Sequence, residues 1–557
     1  MPTDIALFDY LQQRLSSLEL EHESYKTHYR ELSERFLPRT GRFLVTDRNR
    51  GGKVHNFIID SSGTRALNIQ TAGLMAGNSS PARNWFRLAT PDRDLMKFQP
   101  VKIWLDDVAD VMRNIFAASN FYRAIHTIYR EMSLYGTAAS LMLPNFEKVI
   151  RMFPATAGEY FIAKNFLGDI DTLWKKFDIT VSMAVEQFGL KKVSQQVQDM
   201  YRKGDYDKWV TIVHALEPRR KRDRESRLAS NKPFASIWWE RSESHKEPMR
   251  ISGFDRFPAL VPRWDVSGGD IYGWGPGMEA LGHVKQLQQD QLTMEKAKDY
   301  QSDPPVQVPI SMKGREDLLP GGTNYVAETG PNQGIRTAFD VNLDLTHVQA
   351  GVLDRRDMIR AAFNVDLFQM ISSDDRRQQT AREVVEKHEE KLLVLGPVLE
   401  RVQNELLDPA IDNTFMVGLE GGIFPDPPQE MSGKEITVEY ISLLAQAQKA
   451  IGIGAVERII GTIQNIGATH RDALHKLDPL VAVDELADMM GVPSEIIVSN
   501  EKVALILKKE REAVQAAQAL EQENLNAETM KKLSETDTSG ENALTDISNQ
   551  LSPVAAA

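Results

Sequence analysis

At 557 residues the chain exceeds what a single hydrophobic core supports, so more than one folded unit is expected. Its 42% hydrophobic and 26% charged residues fit a globular protein, and no apolar run approaches the roughly 20 residues needed to cross a bilayer. There is no cysteine, which excludes disulfides, thiol nucleophiles and thiolate metal sites, and the formal charge of −12 argues against tight binding of duplex DNA.

The N-terminus, MPTDIALFDYLQQRL, is amphipathic and acidic and lacks the pattern of a secretory signal. Phe8, Leu11, Leu15, Leu18, His22, Tyr25, Tyr29, Leu32 and Phe36 recur in steps of three and four, which predicts one long helix stopped by Pro38 and Gly41. So narrow a stripe needs a partner surface, in the same subunit or the next. A helix from Ser62 to about Met75 is expected next, then a short strand carrying Trp85 and Phe86, then helices near 100–118 and 121–134. AASLMLP and VIRMFPA alternate as strands do, residues from about Asp169 to Lys203 read as helical, and TIVHALEP and FASIWWERS read as strands. The loop between those two, Pro218 to Arg227, is the densest basic run. It is either a contact for nucleic acid or an acidic partner, or a solvated loop partly neutralised by Asp223 and Glu225.

Arg256 to Phe415 reads strand, glycine-rich turn, helix, short β-like insert, helix, polar loop, helix. Gly273, Gly275 and Gly277 do not complete a dinucleotide or P-loop signature; they suit a sharp turn out of a strand, with Pro276 in the first turn of the helix that follows. That helix carries Met278, Leu281, Val284, Leu287 and Leu292 on one side and several glutamines elsewhere, and ends at Ser302-Asp303-Pro304-Pro305, a rod of roughly 40 Å. After the glycine- and proline-rich insert, Leu345, Val348, Val352, Ile359 and Phe363 define a second helix. A polar loop from Asp366 to Gln379 leads to a third, with Thr380 and Glu383 as a capping box and Val385, His388, Leu392, Leu395, Leu399, Val402 and Leu406 as its seam. Gly396 and Pro397 fall inside that seam and predict a kink. From Ile436 to Val498 short helices are expected, broken at Gly452, Gly454, Gly461 and Gly467. A long exposed helix over 500–533 and a tail of flexible composition follow.

In this order, SSPARNWFRL, FPALVPRW, GPGMEAL, TAREV, LGPVLERVQNELL and FPDPP resemble the portal (head-to-tail connector) proteins of short-tailed bacteriophages. No one of these strings is decisive; their order over residues 55 to 430 carries the resemblance. It implies a mainly α ring-forming subunit of the phage portal fold with an α+β wing. The segments would be a wing (1–270), stem helix 1 (271–303), clip (304–342), stem helix 2 (343–364), tunnel loop (365–379), long kinked helix and wing return (380–430), crown (431–499), C-terminal crown or barrel helix (500–535) and tail (536–557). It further implies a homo-oligomer, usually of twelve copies, at one capsid vertex of the virion, assembled in the bacterial cytoplasm. Its partners would be the major capsid and scaffolding proteins, the large terminase, tail adaptor or nozzle proteins, internal core proteins and double-stranded DNA in transit, with no cofactor and no membrane. On this resemblance Arg376, Arg377, Gln378 and Gln379 are candidate channel-loop contacts to DNA, the alternative for both arginines being pairing with Asp374, Asp375 or a neighbouring subunit. Lys313, Arg315, Glu316 and Asp317 are candidates for docking at the clip.

Nothing points to catalysis. His388 lacks the second histidine of H-E-x-x-H and lies on a helical seam, and no G-x-S-x-G or Walker sequence occurs. Two other classes remain at this stage: another toroidal head-tail protein such as an adaptor or scaffold, and a nucleic-acid enzyme. The helix–insert–helix–loop–helix order weighs against the first, and the lack of a P-loop or clustered acidic ligands against the second.

Overall fold

The computed structural model describes residues 4–44, 57–92, 95–241, 247–302, 346–372 and 395–442 apart from a few positions, short pieces within 306–337 and 444–498, and residues 500–534. It divides into two compact units, one of residues 1–91 and 104–458 and one of residues 92–103 and 459–557.

In the larger unit α1 (Asp4–Phe36) realises the predicted stripe, and its partner lies in the same chain. Phe8, Leu11, Leu15 and Leu18 pack on one face of a sheet, against Phe161, Trp174, Val213 and Trp239. Tyr29, Leu32 and Phe36 join a second core with Leu67, Leu281, Val284 and Phe363. The sheet is antiparallel in the order β4 (Tyr160–Lys164), β5 (Ile170–Thr180), β6 (Trp209–Pro218), β7 (Phe234–Glu240) and β8 (Arg250–Phe254). Its register aligns Trp174, Ala215 and Ile237 on the α1 face. Leu173 and Leu216 turn to the opposite face, where they meet Ala139, Val261 and Tyr272.

The helical reading of 169–203 is corrected here. Its first part is β5, and only Val181–Phe188 (α5) and Gln195–Arg202 (α6) are helical, with the Thr180 and Ser194 hydroxyls accepting from Met183 N and Val197 N. Strand β5 is covered on both faces, so Leu173 and Trp174 are both apolar and no alternation marks the strand.

The remaining elements of this unit run α2 (Ser62–Asn78), β1 (Phe86–Ala89), α4 (Phe121–Tyr135), and a sheet of β2 (Ala139–Asn145) between β3 (Val149–Ala155) and β9 (Ala259–Leu260). Helix α3 (Gln99–Ala118) precedes α4 in the chain. After the sheet come α7 (Pro276–Ser302), the paired β10 (Val306–Gln307) and β11 (Arg336–Thr337), α8 (Thr346–Ala362), α9 (Val365–Ser372), a helical stretch at 395–402 with a π turn over Gln403–Leu407, α10 (Asp408–Glu420) and β12 (Thr437–Tyr440). Strand β12 replaces the helix expected from Ile436: it pairs with β1 and is fastened there by Arg87 Nε to Glu439 Oε2 at 2.7 Å.

The smaller unit contains helical stretches at 459–466 and 479–483 and the 35-residue α11 (Asn500–Ser534), close to its predicted limits. Gly461, expected as a break, lies inside the first of these stretches.

Candidate channel-forming elements

The central elements are mounted on a glycine corner. A Cβ at Gly273 would stand 2.4 Å from the carbonyl oxygen of Gly136, and one at Gly277 would stand 2.5 Å from that of Leu134. The turn therefore packs backbone to backbone on the C-terminal end of α4, a close approach only glycine permits. Trp264 N reinforces it by donating to Gly136 O at 2.8 Å. The residues that mimic a phosphate loop are a structural corner.

From it α7 runs 27 residues, with Pro276 at its start as expected. Met278, Leu281, Val284, Leu287, Met294 and Ala297 are buried. Leu292, assigned to this seam from sequence, is exposed, because the continuing helical period brings Met294 inward instead. Helix α8 contributes Val352 and Ile359, with Phe363 just beyond its end. A polar contact fixes the pairing, Arg355 Nε standing 3.1 Å from Asp290 Oδ2, and Lys285 Nζ at 2.5 Å from Glu31 Oε1 ties α7 to α1. The outward faces carry Gln286, Gln289, Glu295, Asp354 and Asp357.

One node here was not read from the sequence. The buried Gln288 accepts from Ile59 N and Asp60 N through Oε1, at 2.7 and 2.8 Å, and donates to Asp60 O at 2.9 Å. Asp60 accepts from Arg356 Nη2 at 2.7 Å and from Ser62 N at 2.7 Å. Burial raises the Asp60 carboxyl, but the Ser62 and Arg356 bonds outweigh it and hold its pKa below the ordinary value. The node ties the start of α2 to both α7 and α8. Its signal was a glutamine at a seam position of α7, where only a satisfied polar group is tolerated.

Two residues beyond α8, Asn364 with a φ of 50° turns the chain into α9. The segment expected as a polar loop from Asp366 is thus helical as far as Ser372. Val365, Leu367 and Phe368 are buried, and Phe368 lies so close to Gly73 of α2 that a Cβ there would meet it at 2.2 Å. The apolar side chains at 365, 367 and 368 draw the segment into the core. Asp374, Asp375, Arg376, Arg377, Gln378 and Gln379 lie outside the described residues, as do the Thr380 capping box, His388, the four clip candidates Lys313, Arg315, Glu316 and Asp317, and the tail.

Gly396 and Pro397 are helical and stand at the edge of the described residues. The irregularity the structure does describe is the π turn at Gln403–Leu407. Pro409 has no N–H for the carbonyl four residues back, and the widened turn accommodates that loss. It also presents Glu405 to Arg263: Nη2 reaches Oε1 at 2.6 Å and the Arg263 backbone N reaches Oε2 at 2.8 Å. Leu395, Leu399, Val402 and Leu406 are buried, as the seam predicted.

Elsewhere the titratable groups behave as packing. The basic loop is a β6–β7 connection in which Arg219 is tied to Lys232 O and Ser252 O at 3.1 and 3.0 Å, and Arg220, Lys221 and Arg222 are exposed. His22 lies among Tyr29, Phe161 and Tyr272, and burial pushes its pKa down to about 4. Among the described residues no cluster of three or more His, Asp or Glu side chains is placed to hold a metal ion, and no helix is long and apolar enough to cross a membrane.

The arrangement is a helix pair with a buried seam clamped into an α+β body. Comparison with known proteins gives the class. The family of bacteriophage head to tail connecting proteins matches residues 9–498. The probable portal protein of Bordetella phage BPP-1 is 47% identical over 543 residues, 97% of this chain and 98% of that one. The portal protein of Salmonella phage epsilon15 is 39% identical over 541 residues, 97% of each chain. A chain in the neck of an empty gene transfer agent particle aligns with a TM-score of 0.39 at 10% identity, over 79% of this chain and 92% of that one, a likeness too distant to carry weight. The chain belongs to the bacteriophage head to tail connecting proteins. Its function is that of a phage portal protein.

Proposed function

We propose that twelve copies of this chain close into a ring at one vertex of the capsid, and that the genome enters and leaves through its channel. The observation that carries this reading is the α7–α8 pair, whose seam is filled within the subunit and whose outer faces carry Gln286, Gln289, Glu295, Asp354 and Asp357, suited to a water-filled passage, beside exposed Leu292, Leu353 and Met358, suited to meet a neighbour. The role is structural. The force for packaging comes from the large terminase, a separate ATPase, and this chain supplies no turnover of its own.

In this reading residues 1–270 form the wing, α7 and α8 the stem, 304–342 the clip and 431–499 the crown, with α11 extending the crown side. The clip, through Lys313, Arg315, Glu316 and Asp317, docks terminase during packaging and tail adaptor or nozzle proteins afterwards. Major capsid, scaffolding and internal core proteins meet the rest of the ring. The tunnel loop narrows to the residues after Ser372, where Arg376, Arg377, Gln378 and Gln379 make loose contacts with phosphates and resist backsliding. The subunit assembles in the host cytoplasm and ends in the virion.

The first test is the mass of the purified chain by light scattering, with negative-stain images of the same peak. Rings of about twelve 62.8 kDa subunits with a central hole are expected; a compact dimer with metal-dependent activity on DNA would overturn the reading. Changing Arg376 and Arg377 together to alanine should let packaged DNA slip back, and unchanged retention would sink that assignment. Removing the clip tip should leave rings intact while blocking docking of terminase, adaptor or both.

A further inference from the structure

We infer that the loop joining β6 to β7 is a second contact for nucleic acid, at which Arg220, Lys221 and Arg222 hold the phosphate backbone of a duplex apart from the channel. Residues 219–227, RRKRDRESR, hold six basic and two acidic side chains, a net +4 in a chain of −12. The loop stands on a fixed base. Arg219 is committed to it, donating to Lys232 O and Ser252 O. Asn231 closes it from the other side: Asp223 N donates to Asn231 Oδ1 at 3.1 Å, and Asn231 Nδ2 returns a bond to Asp223 O at 2.5 Å. From that base Arg220, Lys221 and Arg222 are exposed, and none of them has an ion pair among the described residues. The carboxylates nearby are mostly engaged. Asp223 Oδ1 accepts from Glu225 N at 3.0 Å, and Asp255 pairs with Lys232 at 2.7 Å. Glu217, which lies near Arg14 as well as Arg220, accepts from Tyr10 Oη at 3.0 Å. Glu225 is the other carboxylate of the loop and is exposed; against six cations the two acids leave the segment positive.

The composition of the loop selects the anion. Between Arg219 and Arg227 there is no apolar and no aromatic residue, and Leu228 beyond them is a single exposed apolar side chain of the ordinary kind. A folded acidic partner is held around an apolar core from which lysine is depleted, and a single strand is held on aromatic side chains that stack its bases. The loop supplies neither. Guanidinium and ammonium groups on a fixed turn meet what the phosphates of a duplex require, neutralisation and charge-assisted bonds to oxygen, indifferent to sequence. The loop is carried by the β4–β8 sheet and not by α7 or α8, so this hold is separate from the passage. Three neutralised phosphates make a weak contact, in keeping with a chain that is acidic overall. If the chain closes into the ring proposed above, the genome gains a loose hold beside the body, away from the acidic Asp354 and Asp357; the contact itself does not require the ring.

The test titrates a labelled duplex of about 20 base pairs with the full-length chain, followed by fluorescence anisotropy from about 50 mM salt upward. Wild type is expected to bind with a shallow slope of log affinity against log salt, about −3, as counterions leave three phosphates. Arg220→Gln, Lys221→Gln and Arg222→Gln together should lower affinity at least about tenfold and bring the slope close to zero, while Arg220→Lys with Arg222→Lys should keep it. A triple variant that binds like wild type would overturn the inference. So would a wild type that holds polyglutamate as tightly as the duplex, since the loop would then be a docking site for an acidic protein. Should the triple variant fail to fold, Glu225→Lys decides: a cation added to the loop should tighten binding and steepen the slope by about one, and an unchanged slope would refute the contact. Light scattering reports the ring independently, so loss of duplex binding leaves the portal reading in place, and a chain that forms no ring leaves this contact in place.

Discussion

Three buried ionisable side chains set opposing pH dependences. Burial pushes the His22 imidazole down to about 4 and the His214 imidazole to about 3, with positive neighbours such as Lys175 beside His214 adding to the effect. Each is neutral in the folded chain but takes up a proton near 6.5 when unfolded. Their favourable contribution is therefore present above 6.5 and is lost as pH falls toward 4 and 3. Burial moves the Glu131 carboxyl the other way, up to about 7, although it accepts from Thr156 Oγ1 at 2.8 Å and Ala157 N at 3.2 Å. Its folded-state pKa lies above the unfolded value, so its contribution is full below about 4.5 and is lost as pH rises through 7. Urea unfolding across pH should show both slopes. Glu131→Gln is expected to improve relative to wild type by a few kcal/mol at most between pH 5 and pH 8. His22→Leu should flatten the acid limb below pH 6.5. A Glu131→Gln difference that did not vary with pH would mean the carboxyl is already charged in the fold.

The joint between Arg263 and Glu405 decides how the long helix is held to the body. Both side chains are largely covered, the arginine at 5% exposure, and the π turn brings Glu405 into reach. Replacing Arg263 with alanine leaves the largely covered Glu405 carboxylate with only the backbone N–H of residue 263 and Arg401 Nη1 at 3.6 Å, and unfolding experiments should show a loss of about 3 kcal/mol. Replacing both partners with apolar residues of similar volume should recover much of it. A single replacement costing under about 1 kcal/mol would show the pair to be solvated. The sequence disclosed the elements whose signals are local. The α1 stripe, Pro276 opening α7 and the breaker-free run of α11 all follow from period and stop residues within one window. It did not disclose β5, whose two faces are both buried, or β12, whose partner β1 lies about 350 residues away in the chain. The Asp60–Gln288–Arg356 node and the Arg263–Glu405 pair belong to the same class: each residue is an ordinary polar letter until the fold brings its partner. The candidate DNA and clip contacts remained readings by resemblance, because they fall outside the described residues.

For the whole molecule the governing quantity is charge. The chain carries −12, and the arginines of α8 are occupied: Arg355 with Asp290, Arg356 with Asp60 and Arg360 with Asp366 at 2.7 Å. What the α7–α8 pair offers to solvent includes Asp354 and Asp357. If that face lines the passage, few phosphates are neutralised and few counterions released, so duplex DNA moves through without being gripped. The observable is the slope of log affinity against log salt for short duplexes and isolated rings, which should be shallow. Asp354→Lys with Asp357→Lys would add about two dozen cations per twelve-subunit ring, enough for tight binding that weakens steeply with salt. Particles carrying that variant should package or release DNA slowly at low salt and recover as salt is raised. If the double lysine variant changes neither the slope nor the rate of release, α8 does not face the DNA, and the lining of the channel has to be sought on α7 and the residues after Ser372.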